Sequence, residues 1–193
     1  MPDLMVLTGH EYTVKNLLVS YEGEANAQAR YKTYAAKADA DGLAGVASLF
    51  RTTARAEQIH ANNQGRLLRK MGAEARAEIS PFKNRSTLEN LKTALAGGRY
   101  EIGAMYPGFI EEATGHLNSN AARAFIWALE AEKTHERLFS MAIADVEKND
   151  ADSWIYSPRD FQVCPVCAYT AENREADNCA VCNYPWEMFE TIR

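Results

Sequence analysis

The chain has 193 residues, 47% hydrophobic and 24% charged, which leaves room for one good core and a small extra module. A net charge of −5 and a pI near 5.5 provide no basic stripe to displace counterions from phosphates, which argues against nucleic acid. No apolar stretch is long enough to cross a bilayer.

The start, MPDLMVLTGHEY, lacks a basic patch followed by an apolar run, so no secretory signal is expected and the cytoplasm is the expected compartment. Residues 10–150 are rich in Ala, Leu, Glu, Lys and Arg with helical periodicity, which predicts helices. Thr8-Gly9-His10-Glu11 has capping-box spacing and starts the first. A break at Ala38–Gly42 leads to the second, which runs to about Met71-Gly72. Residues 72–86, with Ser80-Pro81, form a longer connection, and Ser86-Thr87-Leu88-Glu89 is a second capping box that opens the third helix. Gly97-Gly98 and Pro107 predict one or two breaks in that helix. Gly115–Asn118 is the next turn, and the fourth helix runs to about Lys148-Asn149. Long helices joined by short, long and short connections describe a mainly α fold, a four-helix bundle with one crossover. The expected division is a bundle over 1–150, a linker over 151–160 and a separate module over 161–193.

The second and fourth helices raise a common question. On the fourth, Phe125, Ala128, Glu132, His135, Phe139, Ala142 and Val146 form a stripe that is apolar except at Glu132 and His135. On the second, Glu57 and His60 interrupt a similar stripe in the same way. Residues three apart share a helical face, so each Glu-x-x-His points inward, and buried carboxylates are costly without a cation. Glu24 and Glu57 are equidistant from the Asp39–Gly42 turn, and Glu101 and Glu132 from the Gly115–Asn118 turn. Antiparallel packing therefore brings each pair to one level. A lone Glu-x-x-His is usually a solvated surface feature. Two copies with partner glutamates at matching height instead give the di-iron carboxylate arrangement of ferritin-like bundles. Glu22, Glu74, Glu78, Glu111 and Glu136 read as surface charges, and His10 and His116 sit near helix ends with no ligand role. Oxygen-rich sites with two imidazoles suit iron or manganese.

Cys164-Pro-Val-Cys167 and Cys179-Ala-Val-Cys182 hold all four cysteines of the chain. Without a signal for an oxidising compartment, the spacing reads as a tetrahedral metal site rather than as disulfides. Zinc would make it a structural ribbon and iron a one-electron carrier, and iron is favoured beside a di-iron site that needs electrons. So small a module depends on metal for folding. Tyr169, Tyr184, Trp186 and Phe189 could cover the site.

Through GEANAQARYKTYA (23–35), AEQIH (56–60), ENLKTALAGGRYEIGAMYPGF (89–109), AEKTH (131–135) and CPVC…CAVC, the chain resembles the rubrerythrins over essentially its whole length. The resemblance implies a non-haem di-iron centre in the bundle, a rubredoxin-like Fe(Cys)4 domain, and reduction of hydrogen peroxide to water. Electrons would come from reduced pyridine nucleotide through a separate reductase or a rubredoxin-type donor. It also implies a homodimer or higher assembly, in which one subunit's rubredoxin-like domain can lie beside its partner's di-iron site. Tyr31 and Tyr106 match the family's tyrosines near the metals, as hydrogen-bond donors behind the ligands.

The chain departs from the family at two places. Where rubrerythrins read Gly-Glu-x-x-Glu, this chain reads Gly97-Gly98-Arg99-Tyr100-Glu101. Loss of the additional glutamate leaves four Glu and two His, implies that His60 is a permanent ligand, and predicts a more open site with an altered preference between peroxide and O2. The glycine usual after each second cysteine is Ala168 in one knuckle and Asn183 in the other, where positive φ is expected. Three readings follow: a peroxide-reducing di-iron enzyme, a ferroxidase, iron store or O2-reducing oxidase, and a non-enzymatic binding protein with a zinc ribbon. The first is favoured.

Overall fold

A computed structural model describes residues 8–150 and 152–193; the reading of the first residues as lacking a secretory signal falls largely outside them. Helix α1 (Gly9–Ala40) begins where Thr8 accepts from the Glu11 amide and the Glu11 carboxylate accepts from the Thr8 amide. It ends in a turn that Gly42 closes at φ +77°, with the Leu43 amide donating back to the Ala38 carbonyl. Helix α2 (Ala44–Lys70) stops in the same way at Gly72, φ +78°, with Ala73 donating to the Leu68 carbonyl. A left-handed residue at this position satisfies carbonyls that the helix end leaves open, and glycine reaches it without steric cost.

The crossover of residues 71–86 is held by a side chain acting as a peptide. Asn26, buried on α1, donates to the Glu78 carbonyl at 2.9 Å and accepts from the Ser80 amide at 2.8 Å. Phe82 then meets Tyr34 edge-on. Ser86 and Glu89 form the reciprocal cap of α3 (Thr87–Tyr100).

The third predicted helix does not break at its glycines. It continues through one widened π segment, Glu101–Met105, into α4 (Tyr106–Gly115). The Tyr106 amide donates to the Glu101 carbonyl across the wide turn, and Pro107 enters at the start of α4, where its missing amide costs least. Helix α5 (Ser119–Lys148) is capped by Asn118 and terminates at Asn149, φ 53°. Helix α1 packs along α2, and α3 and α4 pack along α5, so two hairpins make the four-helix bundle. A core layer of Tyr31, Tyr34, Phe50, Leu49, Leu138 and Phe139 fills one end, and Leu17, Leu68, Tyr106 and Phe125 fill the other.

The segment after α5 lies against the bundle. Ile155 is completely buried in the main core, and Gly45 on α2 lets the chain pass so closely that an added Cβ would stand 2.2 Å from the Trp154 carbonyl oxygen. Strands β1 (Phe161–Val163), β2 (Thr170–Ala171) and β3 (Glu190–Ile192) form an antiparallel sheet of order β2-β1-β3, with Phe161 opposite Ile192 and Val163 opposite Thr170. Val163 and Ala168 pack on Ala56, Ile59 and Ala131 of α2 and α5. At the rim, Arg55 grips Glu190 with two hydrogen bonds, and Arg137 reaches Glu172. No helix among the described residues is long and apolar enough to cross a membrane.

Candidate metal centres

Halfway along the bundle the apolar stripes of α1, α2 and α5 are interrupted at one level. Glu24, Glu57, His60, Glu132 and His135 are all at most 2% exposed. Ligand atoms of Glu24, Glu57, His60 and Glu132 lie within 4.8 Å of one another. Both imidazoles present Nδ1 to the carboxylates. His60 Nδ1 is 3.1 Å from Glu57 and 3.4 Å from Glu24, and His135 Nδ1 is 3.2 Å from Glu132 and 3.6 Å from Glu57. His60 also lies 3.9 Å from Glu132. Glu57 and Glu132 thus each lie within 3.9 Å of both imidazoles, so both would be available to a metal pair held here. Glu101 opens the π segment and is less buried than the rest. Its widened turn shifts the helical register where the carboxylate is presented.

The electrostatics define what the site lacks. Burial, with the charges of Glu132 and Glu24, pushes the Glu57 carboxyl well above the usual carboxylate range, and the same causes raise Glu101. Burial also works against Glu24, but the His60 charge and the hydrogen bonds from His60 and Tyr106 outweigh it and hold Glu24 low. Uncompensated negative charge in a dry interior is what a pair of divalent cations neutralises, and the donors present fit that load.

The two tyrosines differ. Tyr106 donates to Glu24 and its hydroxyl is 3.3 Å from Ser20 Oγ. Tyr31 packs in the aromatic layer against Phe50 and Phe139, where burial and the charges of Glu57 and Glu132 raise its pKa far above the usual value. Gln64, one turn beyond His60, also donates to Glu24, at 3.4 Å. Gly98 is buried, and a Cβ there would meet Glu132 Oε2 at 3.4 Å. Of the histidines read as uninvolved, His116 stacks on Tyr12, outside the cluster.

The second site is built from two matching knuckles. Ala168 donates to the Cys164 carbonyl and Asn183 to the Cys179 carbonyl, each at 2.9 Å, while Cys164 and Cys179 donate to the Tyr169 and Tyr184 carbonyls. Ala168 and Asn183 both adopt positive φ, 67° and 60°. The four sulfurs converge, with Cys164 and Cys182 3.5 Å apart, Cys167 and Cys179 likewise, and no disulfide. Hydrogen bonding within the cluster, that with Cys164 first, pushes the Cys167 thiol up and the Cys179 thiol down. Tyr169, Tyr184, Phe189 and, from α5, Trp127 enclose the cluster.

The sequence gives no sign of the bridge between the two centres. His135 Nε2 lies 3.2 Å from Thr170 Oγ1 on β2, and that hydroxyl donates to the carbonyl of Ala168, next to Cys167. Its opposite number, His60 Nε2, has no partner among the described residues.

Fold and sites together define a ferritin-like di-iron bundle with a rubredoxin-like four-cysteine domain attached. The rubrerythrin family model matches residues 15–143, and the chain belongs to the rubrerythrin family. It is 32% identical to nigerythrin of Nitratidesulfovibrio vulgaris over 92% of its own length and 85% of the relative's. It is 31% identical to rubrerythrin-2 of Clostridium acetobutylicum over 93% and 96%. A structure of fully reduced, all-ferrous nigerythrin superposes with a TM-score of 0.82 at 31% identity, covering 99% of this chain and 91% of that one. A bacterioferritin of Desulfovibrio desulfuricans, 16% identical, shares the fold with a TM-score of 0.70 over 79% of this chain and 94% of its own. The chain therefore carries a Glu/His di-iron site and a four-cysteine metal site, and is a di-iron oxidoreductase of oxidative-stress defence.

Proposed function

We propose that the chain reduces hydrogen peroxide to water, with two electrons and two protons consumed per peroxide, and that the electrons enter through iron at the four cysteines. The observation that carries this reading is the His135–Thr170–Ala168 hydrogen-bond chain, which joins a ligand of one centre to the backbone of the other. When bound, the di-iron pair supplies redox chemistry at the O–O bond. Glu24, Glu57, His60, Glu101, Glu132 and His135 hold it, and Cys164, Cys167, Cys179 and Cys182 hold the third iron. The bundle contributes a dry interior in which Tyr106 keeps a proton on its hydroxyl, because burial and the Glu24 charge raise its pKa well above the usual value. That hydroxyl, close to Ser20 Oγ, holds a hydrogen bond on the Glu24 carboxylate without itself ionising, and so orients Glu24 toward the site.

The protein works in the cytoplasm as a homodimer or larger assembly and receives electrons from a separate NAD(P)H-dependent reductase or rubredoxin-type donor. Steady-state consumption of peroxide and of O2 by the iron-loaded chain, supplied with a reduced donor, tests the reading. Peroxide as the better substrate supports it; O2 consumption with no peroxide turnover would replace it by an oxidase. The same assay on Gly98→Glu, which adds a carboxylate beside Glu132, is expected to shift the ratio of the two activities. An unchanged ratio would show that Gly98 does not set oxidant preference.

A further inference from the structure

The end of α2 and the start of α5 enclose a cleft of about 210 Å³ that includes Asn63, Arg66, Lys70, Asn120, Arg123 and Trp127 in its lining. No carboxylate lines it, although the chain as a whole carries a net charge of −5. The two arginines are steered by neutral amides: Arg66 donates to Asn63 Oδ1 at 2.5 Å and Arg123 to Asn120 Oδ1 at 3.0 Å. None of the three cations is paired with a carboxylate among the described residues, whereas Arg51, Arg55, Arg99, Arg137 and Arg159 all are. The negative end of α2 offsets part of the Lys70 charge, and the positive end of α5 adds to that of Arg123. The cleft is a local positive surface on an acidic protein.

Its position gives that charge a use. Trp127 lies under the Arg123 guanidinium at 5.5 Å and packs on the cysteine cluster from the bundle side. Asn63 donates at 2.8 Å to the carbonyl of Val166, the residue between Pro165 and Cys167 in the first knuckle. One layer of side chains therefore separates the cleft from the sulfurs. At about 210 Å³ the cleft is smaller than pockets that enclose a drug-sized or dinucleotide ligand, which begin at roughly 300 Å³, so it suits side chains from another surface.

We propose that this cleft is the docking site of an electron-donor protein with an acidic surface, which passes one electron at a time to the four-cysteine iron beside Trp127. The proposal rests on the redox reading of that site. Each transfer oxidises the donor by one electron and takes the iron from ferric to ferrous, with no bond made or broken. Complementary charge raises the rate of encounter and loses that effect with salt.

The test follows the ferric colour of the full-length, iron-loaded chain by anaerobic stopped flow, with two reductants. One is reduced flavodoxin, an acidic carrier protein; the other is reduced methyl viologen, a small cation. With flavodoxin, the double substitution Arg66→Glu and Arg123→Glu is expected to slow reduction about tenfold at low ionic strength, an effect lost at about 0.5 M salt. Viologen reduction should not slow. The exposed pair Lys70→Glu and Arg66→Gln, which leaves the Arg123–Trp127 contact intact, should give the same pattern with a smaller loss. Flavodoxin rates unchanged in both variants, or equal slowing with both reductants, would overturn the docking site. A cysteine site with no reducible colour would remove the redox reading itself and the proposal with it, a result distinct from either.

Discussion

His135 Nε2 and Thr170 Oγ1 stand 3.2 Å apart, one on the bundle and one on the cysteine domain, and both residues are buried to within 1%. Because the Thr170 hydroxyl donates onward to the Ala168 carbonyl, it accepts from His135. That fixes the imidazole with its proton on Nε2 and leaves Nδ1 free to face Glu132 and Glu57. Thr170→Val should leave the Nε2 proton unpaired in the interior, costing about 1–3 kcal/mol in denaturant unfolding. It should also weaken metal binding in the bundle roughly tenfold or more. Thr170→Ser should restore both. Equal metal affinity in the valine variant would mean that the hydroxyl does not orient His135.

Leu117 is 92% exposed and holds the left-handed position, φ 56°, in the turn between α4 and α5, where Gly42 and Gly72 hold the corresponding positions after α1 and α2. A side chain there costs about 1–2 kcal/mol, against roughly 0.5–1 kcal/mol of extra unfolded-state entropy for glycine. Leu117→Gly should therefore raise stability by about 0.5–1 kcal/mol, measurable as a higher denaturation midpoint.

Gly45 makes the opposite prediction. A methyl group there would meet the Trp154 and Ser157 carbonyl oxygens at 2.2 and 2.9 Å, so the backbone must move. Gly45→Ala should cost about 1–3 kcal/mol and speed proteolysis within residues 150–160. Unaltered cleavage would show that the connecting segment is not held there.

Arg55 and Glu190 supply a pH-dependent clasp between α2 and β3, at 2.6 and 2.7 Å. The hydrogen bonds from Arg55 hold the Glu190 carboxyl below its ordinary 4.5. A depressed folded value means the stabilisation is fully present above about pH 4.5 and is lost as pH falls through the lower folded value. Both groups are about a third exposed, so the clasp contributes about 1 kcal/mol at most. Cleavage within 150–160 should quicken in acid for the native chain, and Glu190→Gln should show the quickened rate already at neutral pH.

Much of the fold is legible in the residues because its signals are local. The Thr8–Glu11 and Ser86–Glu89 boxes, the Gly42 and Gly72 stops and the positive φ at Ala168 and Asn183 each depend on a few neighbouring residues. The Glu-x-x-His pairs stand out because charge interrupts apolar stripes. The missed features are those whose partner is distant in sequence. Asn26 looks like any polar helical residue until residues 78–80 pass over it, and Thr170 reads as a loop threonine until β2 lies on His135. The π segment is hidden for another reason: Gly97, Gly98 and Pro107 suggest a weak helix but do not say whether it breaks or widens. Packing against α5 keeps it continuous.

The central claim, a di-iron site wired to its own cysteine iron, is most directly tested by metal content and visible spectrum. The protein would be made in iron-replete cells and followed through reduction and peroxide addition. The account predicts about three irons per chain, with a thiolate–iron colour that bleaches on reduction and returns with peroxide. Zinc at the cysteines, or a bleached colour that peroxide does not restore, would contradict it.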